Sequence, residues 1–159
     1  PVRGAAEQHR DALRDAILEA RRELIIVSPW LRTAAVDGEL LGWLQTALDR
    51  QKDLHIIIGY GIEQDVGKTD WHAKNQREAL RRLNQLGQRK RNRIKTVEIG
   101  NTHEKVIVCD ERYAIITSYN FLSLKLKPER GVRRETGYLV DDPKEVAEIR
   151  ADLLSAMKE

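Results

Sequence analysis

Apolar positions in this chain follow two rhythms, helical stripes and short unbroken runs, and the two alternate. Leu13, Ala16, Ile17 and Ala20 fall on one face of a helix predicted over residues 5–22. Leu24-Ile25-Ile26-Val27 is too short a run for a helix and reads as a buried strand. That strand leaves the sheet at Ser28-Pro29-Trp30, because Pro29 cannot continue a hydrogen-bonded ladder. Leu40, Leu41, Leu44, Ala47 and Leu48 give a second helical stripe, and His55 to Tyr60 a second strand, closed by Gly59 and Gly61. Thr69 or Asp70 can cap a third helix running to about Leu86, with Gly87 as its end, before a strand from Ile94 to Ile99. Val106–Cys109 and Tyr113–Thr117 are two β-rich runs joined by the polar Asp110-Glu111-Arg112, which makes a hairpin. Glu135 to Val140 is the last strand. Asp142-Pro143-Lys144-Glu145 then opens a helix with a cap, a proline in the first position and a carboxylate in the third. Val146, Ile149, Leu153 and Met157 are its buried face. Strands alternating with helices and then a hairpin predict an α/β fold, a layered domain with a mixed sheet.

The length, 159 residues, suits one domain with a sizeable core, spanning 1–159. The chain begins at Pro1 rather than Met, so a domain excised from a longer chain, or a processed product, is expected. No apolar run approaches the ~20 residues of a membrane span, and the start does not read as a signal peptide. A single cysteine, Cys109, rules out an internal disulfide framework and reads as a core thiol. These features suit a reducing, cytoplasmic setting. A net charge of +3 permits a nucleic-acid partner without demanding one. The basic run Gln88-Arg89-Lys90-Arg91-Asn92-Arg93 reads as a solvated loop, with phosphate contact as the alternative. No His, Cys and carboxylate cluster has ligand spacing, so no metal site is predicted.

The chemistry gathers on the hairpin. His103 and Lys105 are two apart on the entering strand, so their side chains are expected on one face. Ser118 and Asn120 are two apart where the return strand ends. An imidazole, an ammonium, a hydroxyl and an amide at one sheet edge suit an anionic, tetrahedral substrate. Lys105 and Asn120 donate hydrogen bonds, and His103 can attack or shuttle protons. Beyond Asn120, Lys125, Lys127, Arg130, Arg133 and Arg134 read as lining the approach for a polyanion. Trp30 and Arg32 can either border a substrate groove or anchor their loop. His72-Ala73-Lys74 repeats the His-x-Lys spelling but sits in helical periodicity. No Asp stands five residues after Lys74 and no Ser-x-Asn follows, so it is not a second motif.

His103-x-Lys105, four residues, Asp110, six residues and Thr117-Ser118-x-Asn120 resemble the HxK(x)4D(x)6GSxN motif of the phospholipase D superfamily. Thr117 stands where the pattern usually has Gly. The resemblance implies a mixed sheet between helical layers from residue 5 to the end. It also implies phosphodiester cleavage through a covalent phosphohistidine, with no cofactor. Carried over, His103 attacks phosphorus, Lys105, Asn120 and Ser118 hold the nonbridging oxygens, and Asp110 fixes the turn. Glu135, opening the last strand, would orient His103; a salt bridge to Arg133 or Arg134 is its alternative role. The mechanism needs a second histidine, supplied either by a homodimer joined through the motif face or by other domains of a longer parent chain. Short length, basic loops and the lack of a hydrophobic lid favour nucleic acid, DNA first, and hence a metal-independent DNA endonuclease. The alternatives are a phospholipid phosphodiesterase or transphosphatidylase, and a non-catalytic nucleic-acid-binding or assembly module.

Overall fold

A computed structural model of the chain describes residues 2–61, 70–123 and 134–158. In order they form β1 (Val2–Ala5), α1 (Ala6–Glu19), β2 (Glu23–Ser28), α2 (Gly38–Arg50), β3 (His55–Tyr60), α3 (Asp70–Arg89), β4 (Ile94–Glu98), β5 (Val106–Cys109), β6 (Tyr113–Thr117), β7 (Arg134–Val140) and α4 (Pro143–Ala156). The strands of the described residues make one seven-stranded sheet in the order β1-β7-β6-β5-β2-β3-β4. The β2, β3 and β4 pairings are parallel and the others antiparallel, so the sheet is mixed, as the pattern predicts.

Helices cover both faces. Leu13 and Ile17 of α1, Leu44 and Leu48 of α2 and Leu83 of α3 pack with Leu24, Ile26, Ile56, Ile58 and Ile107. On the other face Val146 and Leu153 of α4 pack with Ile25, Val27, Val106 and Val108. Successive residues of β2 therefore enter opposite cores, which is why that strand is an unbroken apolar run and not an alternating one.

Four details differ from the sequence reading. The edge strand β1 was not expected: Val-Arg-Gly-Ala carries no strand signal of its own and is held by antiparallel pairing with β7. α1 stops at Glu19, three residues short of the predicted Arg22. α3 runs through Gly87 to Arg89. A Cβ on Gly87 would lie 2.9 Å from the Ile94 carbonyl oxygen, so the glycine there permits close packing on β4. The chain turns instead at Arg91 and Asn92, each at φ 57°. Finally, the basic run lies where α3 ends and β4 begins. Arg93 caps α2, its Nη1 donating to Gln51 O at 2.8 Å and its Nη2 to Leu48 O at 2.8 Å. Lys90 pairs with Asp49 at 2.6 Å. Among the described residues no helix is long and apolar enough to cross a membrane.

Candidate active site

Parallel strands leave their C-terminal ends on one edge of the sheet, and antiparallel pairing brings the hairpin's open end there too. Ser28 is level with Tyr60, and Tyr60 with Glu98, while Val27 faces Val106. β5 thus begins, β6 ends and β7 begins at the edge where β2, β3 and β4 finish. Loops at this edge are where open α/β sheets place ligands.

His103 and Lys105 lie just before β5, not on it as the sequence suggests, because pairing with β2 starts at Val106. One further bond, Thr117 N to Lys105 O at 3.1 Å, carries the hairpin up to Lys105. His103 is exposed, and the Trp30 ring meets it edge-on at 6.0 Å between centroids. Trp30 therefore borders the imidazole, while its loop is anchored by other groups. Lys105 Nζ donates to His103 O at 2.8 Å. Burial lowers the Lys105 ammonium from its ordinary value, and the Glu135 carboxylate opposes that shift, which puts Glu135 within electrostatic reach of Lys105.

Ser118 joins the hairpin to β7. Its N–H donates to Thr136 O at 2.9 Å and its Oγ accepts from Thr136 N at 3.1 Å. The same Oγ donates a short hydrogen bond to Oε2 of Glu135, a residue only 5% exposed. Asn120 is 9% exposed, and its Oδ1 has no hydrogen-bond partner among the described residues. Its position is fixed from behind. Phe121 and Leu122 are wholly buried, and Leu122 O accepts Arg32 N at 2.9 Å. The fold thus gathers His103, Lys105, Ser118, Asn120 and Glu135 at one sheet edge. Lys125, Lys127, Arg130 and Arg133 lie outside the described residues, as does any ion pair from Arg133 to Glu135; Arg134 opens β7.

Asp110 stands at the hairpin's other end, at φ 52°. Its carboxylate accepts the amides of Arg21 at 3.2 Å, Arg22 at 2.8 Å and Glu23 at 3.0 Å. Arg112 Nε adds a contact at 3.3 Å. Burial pushes the carboxyl up, but the three amides and Arg112 outweigh it and leave Asp110 below the ordinary carboxylate range. Cys109 is buried beside it with its thiol against Ala16 O, and burial pushes that thiol up, the environment of an inert core cysteine.

Three residues that support the site carry no signal in the sequence. His9, in the first turns of α1 and 4% exposed, has its Nδ1 3.0 Å from Thr117 Oγ1. The Thr117 hydroxyl also donates to Thr136 O at 3.0 Å and accepts Tyr119 N at 3.1 Å. A Cβ on Gly137 would lie 3.0 Å from the His9 ring, so the glycine makes room for this contact. On the opposite flank, Asn75 Oδ1 of α3 accepts Thr33 N at 2.8 Å, and Gln76 Oε1 accepts Leu31 N at 3.1 Å. These two amides hold the Trp30 loop. His72 lies in the first turn of α3, as its helical setting predicts. Among the described residues no group of three His, Cys, Asp or Glu could hold a metal ion.

No curated protein matches this chain in sequence. Among solved structures, Nuc from Salmonella typhimurium, a phospholipase D family member, superposes with a TM-score of 0.68 at 15% identity, over 98% of this chain and 91% of that one. NucT from Helicobacter pylori gives 0.67 at 12% identity, over 99% and 94%. Phosphatidylserine synthase from Haemophilus influenzae gives 0.70 at 17%, but only 38% of that longer chain is covered. TrmBL2, an archaeal chromatin protein described as binding DNA, gives 0.60 at 14%, over 49% of its length. At these identities the likeness is one of fold. The family described as "Cardiolipin synthase, PLD-like domain" matches residues 13–157, nearly the whole chain, and with the shared architecture this places the protein in the phospholipase D superfamily.

Proposed function

We propose that this protein is a metal-independent nuclease that cleaves nucleic-acid phosphodiesters, DNA first, through a phosphohistidine. The observation that carries the reading is the convergence of His103, Lys105, Ser118, Asn120 and Glu135 at one sheet edge. In the first step an imidazole nitrogen of His103 attacks phosphorus and the bond to the leaving oxygen breaks. A second, protonated imidazole gives that oxygen its proton. Water then attacks phosphorus, yields a proton to the second imidazole and releases His103, so each group ends as it began. Lys105, Asn120 and Ser118 would meet the charge that builds on the nonbridging oxygens. Glu135 would hold the His103 tautomer from behind. Asp110, at the far end of the hairpin, fixes the turn.

The net charge of +3, the cations at 125, 127, 130, 133 and 134 and a DNA-binding structural neighbour support nucleic acid as substrate. The phosphatidylserine synthase likeness and the family's description keep a phospholipid diester as the competing substrate. The test is incubation with plasmid, single-stranded DNA, RNA and phosphatidylcholine, each with and without EDTA. Cleavage of nucleic acid that survives EDTA is the expected result. Activity that needs Mg²⁺ sinks the phosphohistidine step, and release of choline alone moves the site to lipid chemistry.

The second imidazole is assigned to His103 of a second copy in a cytoplasmic homodimer, since a twofold axis repeats every contact. The rival source is another domain of a longer parent chain. If intact and His103→Ala chains are refolded together in equal amounts, random pairing leaves about one quarter of dimers with both histidines. Activity on DNA should fall toward that quarter. Activity held at half rules out the shared site.

A further inference from the structure

The most exposed large apolar side chain among the described residues, Trp71 at 59%, has no part in the mechanism above. Tryptophan buries more apolar area than almost any residue, so an indole left this far in solvent calls for an explanation. It sits in the first turn of α3. α3 follows β3 and leads into the parallel β4, so it runs back across the sheet and its N-terminal turn lies at the site edge. Four residues on, one turn along the same helix face, Asn75 grips Thr33 through two hydrogen bonds, at 2.8 and 2.9 Å. The next residue, Gln76, ties Leu31 N to Gly61 O. That clamp holds the loop whose Trp30 meets His103 edge-on at 6.0 Å. Side chains on a helix lean toward its N-terminus, so the Trp71 indole projects beyond the clamp, on the side where substrate must lie. It is braced there by His72, whose ring stands perpendicular at 5.1 Å.

We propose that Trp71, with Trp30 lying next to the catalytic imidazole, forms a stacking platform for unpaired bases, and that the site therefore takes single-stranded nucleic acid. The proposal rests on the nuclease reading for its substrate class. Bases in a duplex hide their faces against one another, and only an unpaired strand can offer one to an indole. The platform and the phosphate groups divide the labour. The side chains at the sheet edge hold a backbone phosphate, while the α3 flank takes the flanking base without reading its identity.

Binding, measured apart from turnover, decides the matter. A labelled oligothymidylate, an abasic deoxyribose-phosphate strand of equal length and a blunt hairpin duplex are titrated with wild type, Trp71→Ala and Trp71→Phe by fluorescence anisotropy. Wild type should prefer the oligothymidylate to both other strands. Trp71→Ala should lose roughly 5- to 150-fold in affinity for it, the range of one stacked base, and keep its affinity for the abasic strand. Trp71→Phe should retain most of the preference. Equal loss on abasic and base-bearing strands, or no loss on either, overturns the platform. A protein that shows the Trp71-dependent preference but cleaves none of these strands leaves the platform standing and sinks the nuclease reading. Cleavage with Trp71→Ala indistinguishable from wild type does the reverse.

Discussion

The two ends of the β5–β6 hairpin are built from similar polar residues and put to opposite uses. At the closed end Asp110 accepts three backbone amides, which tie the hairpin to the start of β2, and an arginine from within the hairpin itself. At the open end Lys105 donates to the carbonyl of His103, two residues away, and Asn120 keeps a buried Oδ1 with no partner among the described residues. A buried acceptor left unmade costs free energy. The closed end is tied down by its contacts, and the open end keeps a buried acceptor unmade among the described residues.

Three substitutions can break or sharpen that contrast. Lys105→Ala should lower turnover by ~10²–10³-fold, about 2.7–4 kcal/mol of barrier, while the melting temperature stays close to wild type. Kinetics and thermal denaturation on one preparation check both halves, and a large loss of stability would erase the distinction. Asp110→Ala should do the reverse, costing about 2–3 kcal/mol of stability by stranding amides, with turnover of the folded fraction preserved. The Asp110 carboxyl is held below its ordinary value, so its contribution is present above the unfolded value of about 3.9 and fades as pH falls through the folded one. The stability gap between wild type and variant, followed by denaturant titration, should therefore narrow below about pH 4. A gap independent of pH would remove the carboxylate from the account. The smallest effect is expected at Thr117→Val, which keeps the shape but strands Tyr119 N and His9 Nδ1 for about 1–2 kcal/mol. If it costs nothing, the hydroxyl junction is incidental.

These contrasts were partly legible in the sequence. The buried runs at Leu24–Val27 and Val106–Cys109 announce strands because each is apolar on both faces. The motif spacing also predicts that its residues meet at one sheet edge, since a hairpin fixes which residues share an edge. What pairing alone creates was hidden. β1 exists because β7 offers it a ladder, and His9 reaches Thr117 because Gly137 leaves a gap, neither of which is local information. Gly87 misled for the same reason: a glycine that reads as a helix stop is needed for the approach of Ile94. Alternation places His103 and Lys105 on the strand because it cannot see where a neighbour's ladder begins.

The strand order also bears on how the chain is made. β2, an interior strand, gains its parallel neighbour β3 from nearby sequence, but its other neighbour is β5, and the Asp110 clasp joins groups 87 to 89 residues apart. Closing so long a loop comes late, because its entropy must be met before the distant contacts form. Until Cys109 has left the ribosome, one side of Leu24-Ile25-Ile26-Val27 is an unpaired apolar edge, the kind on which nascent chains associate wrongly. The hairpin that carries the motif is thus also the piece that covers the open edge of β2, while the edge of β6 waits for β7 and the second core face for α4, so the most apolar strand is protected before the sheet is complete.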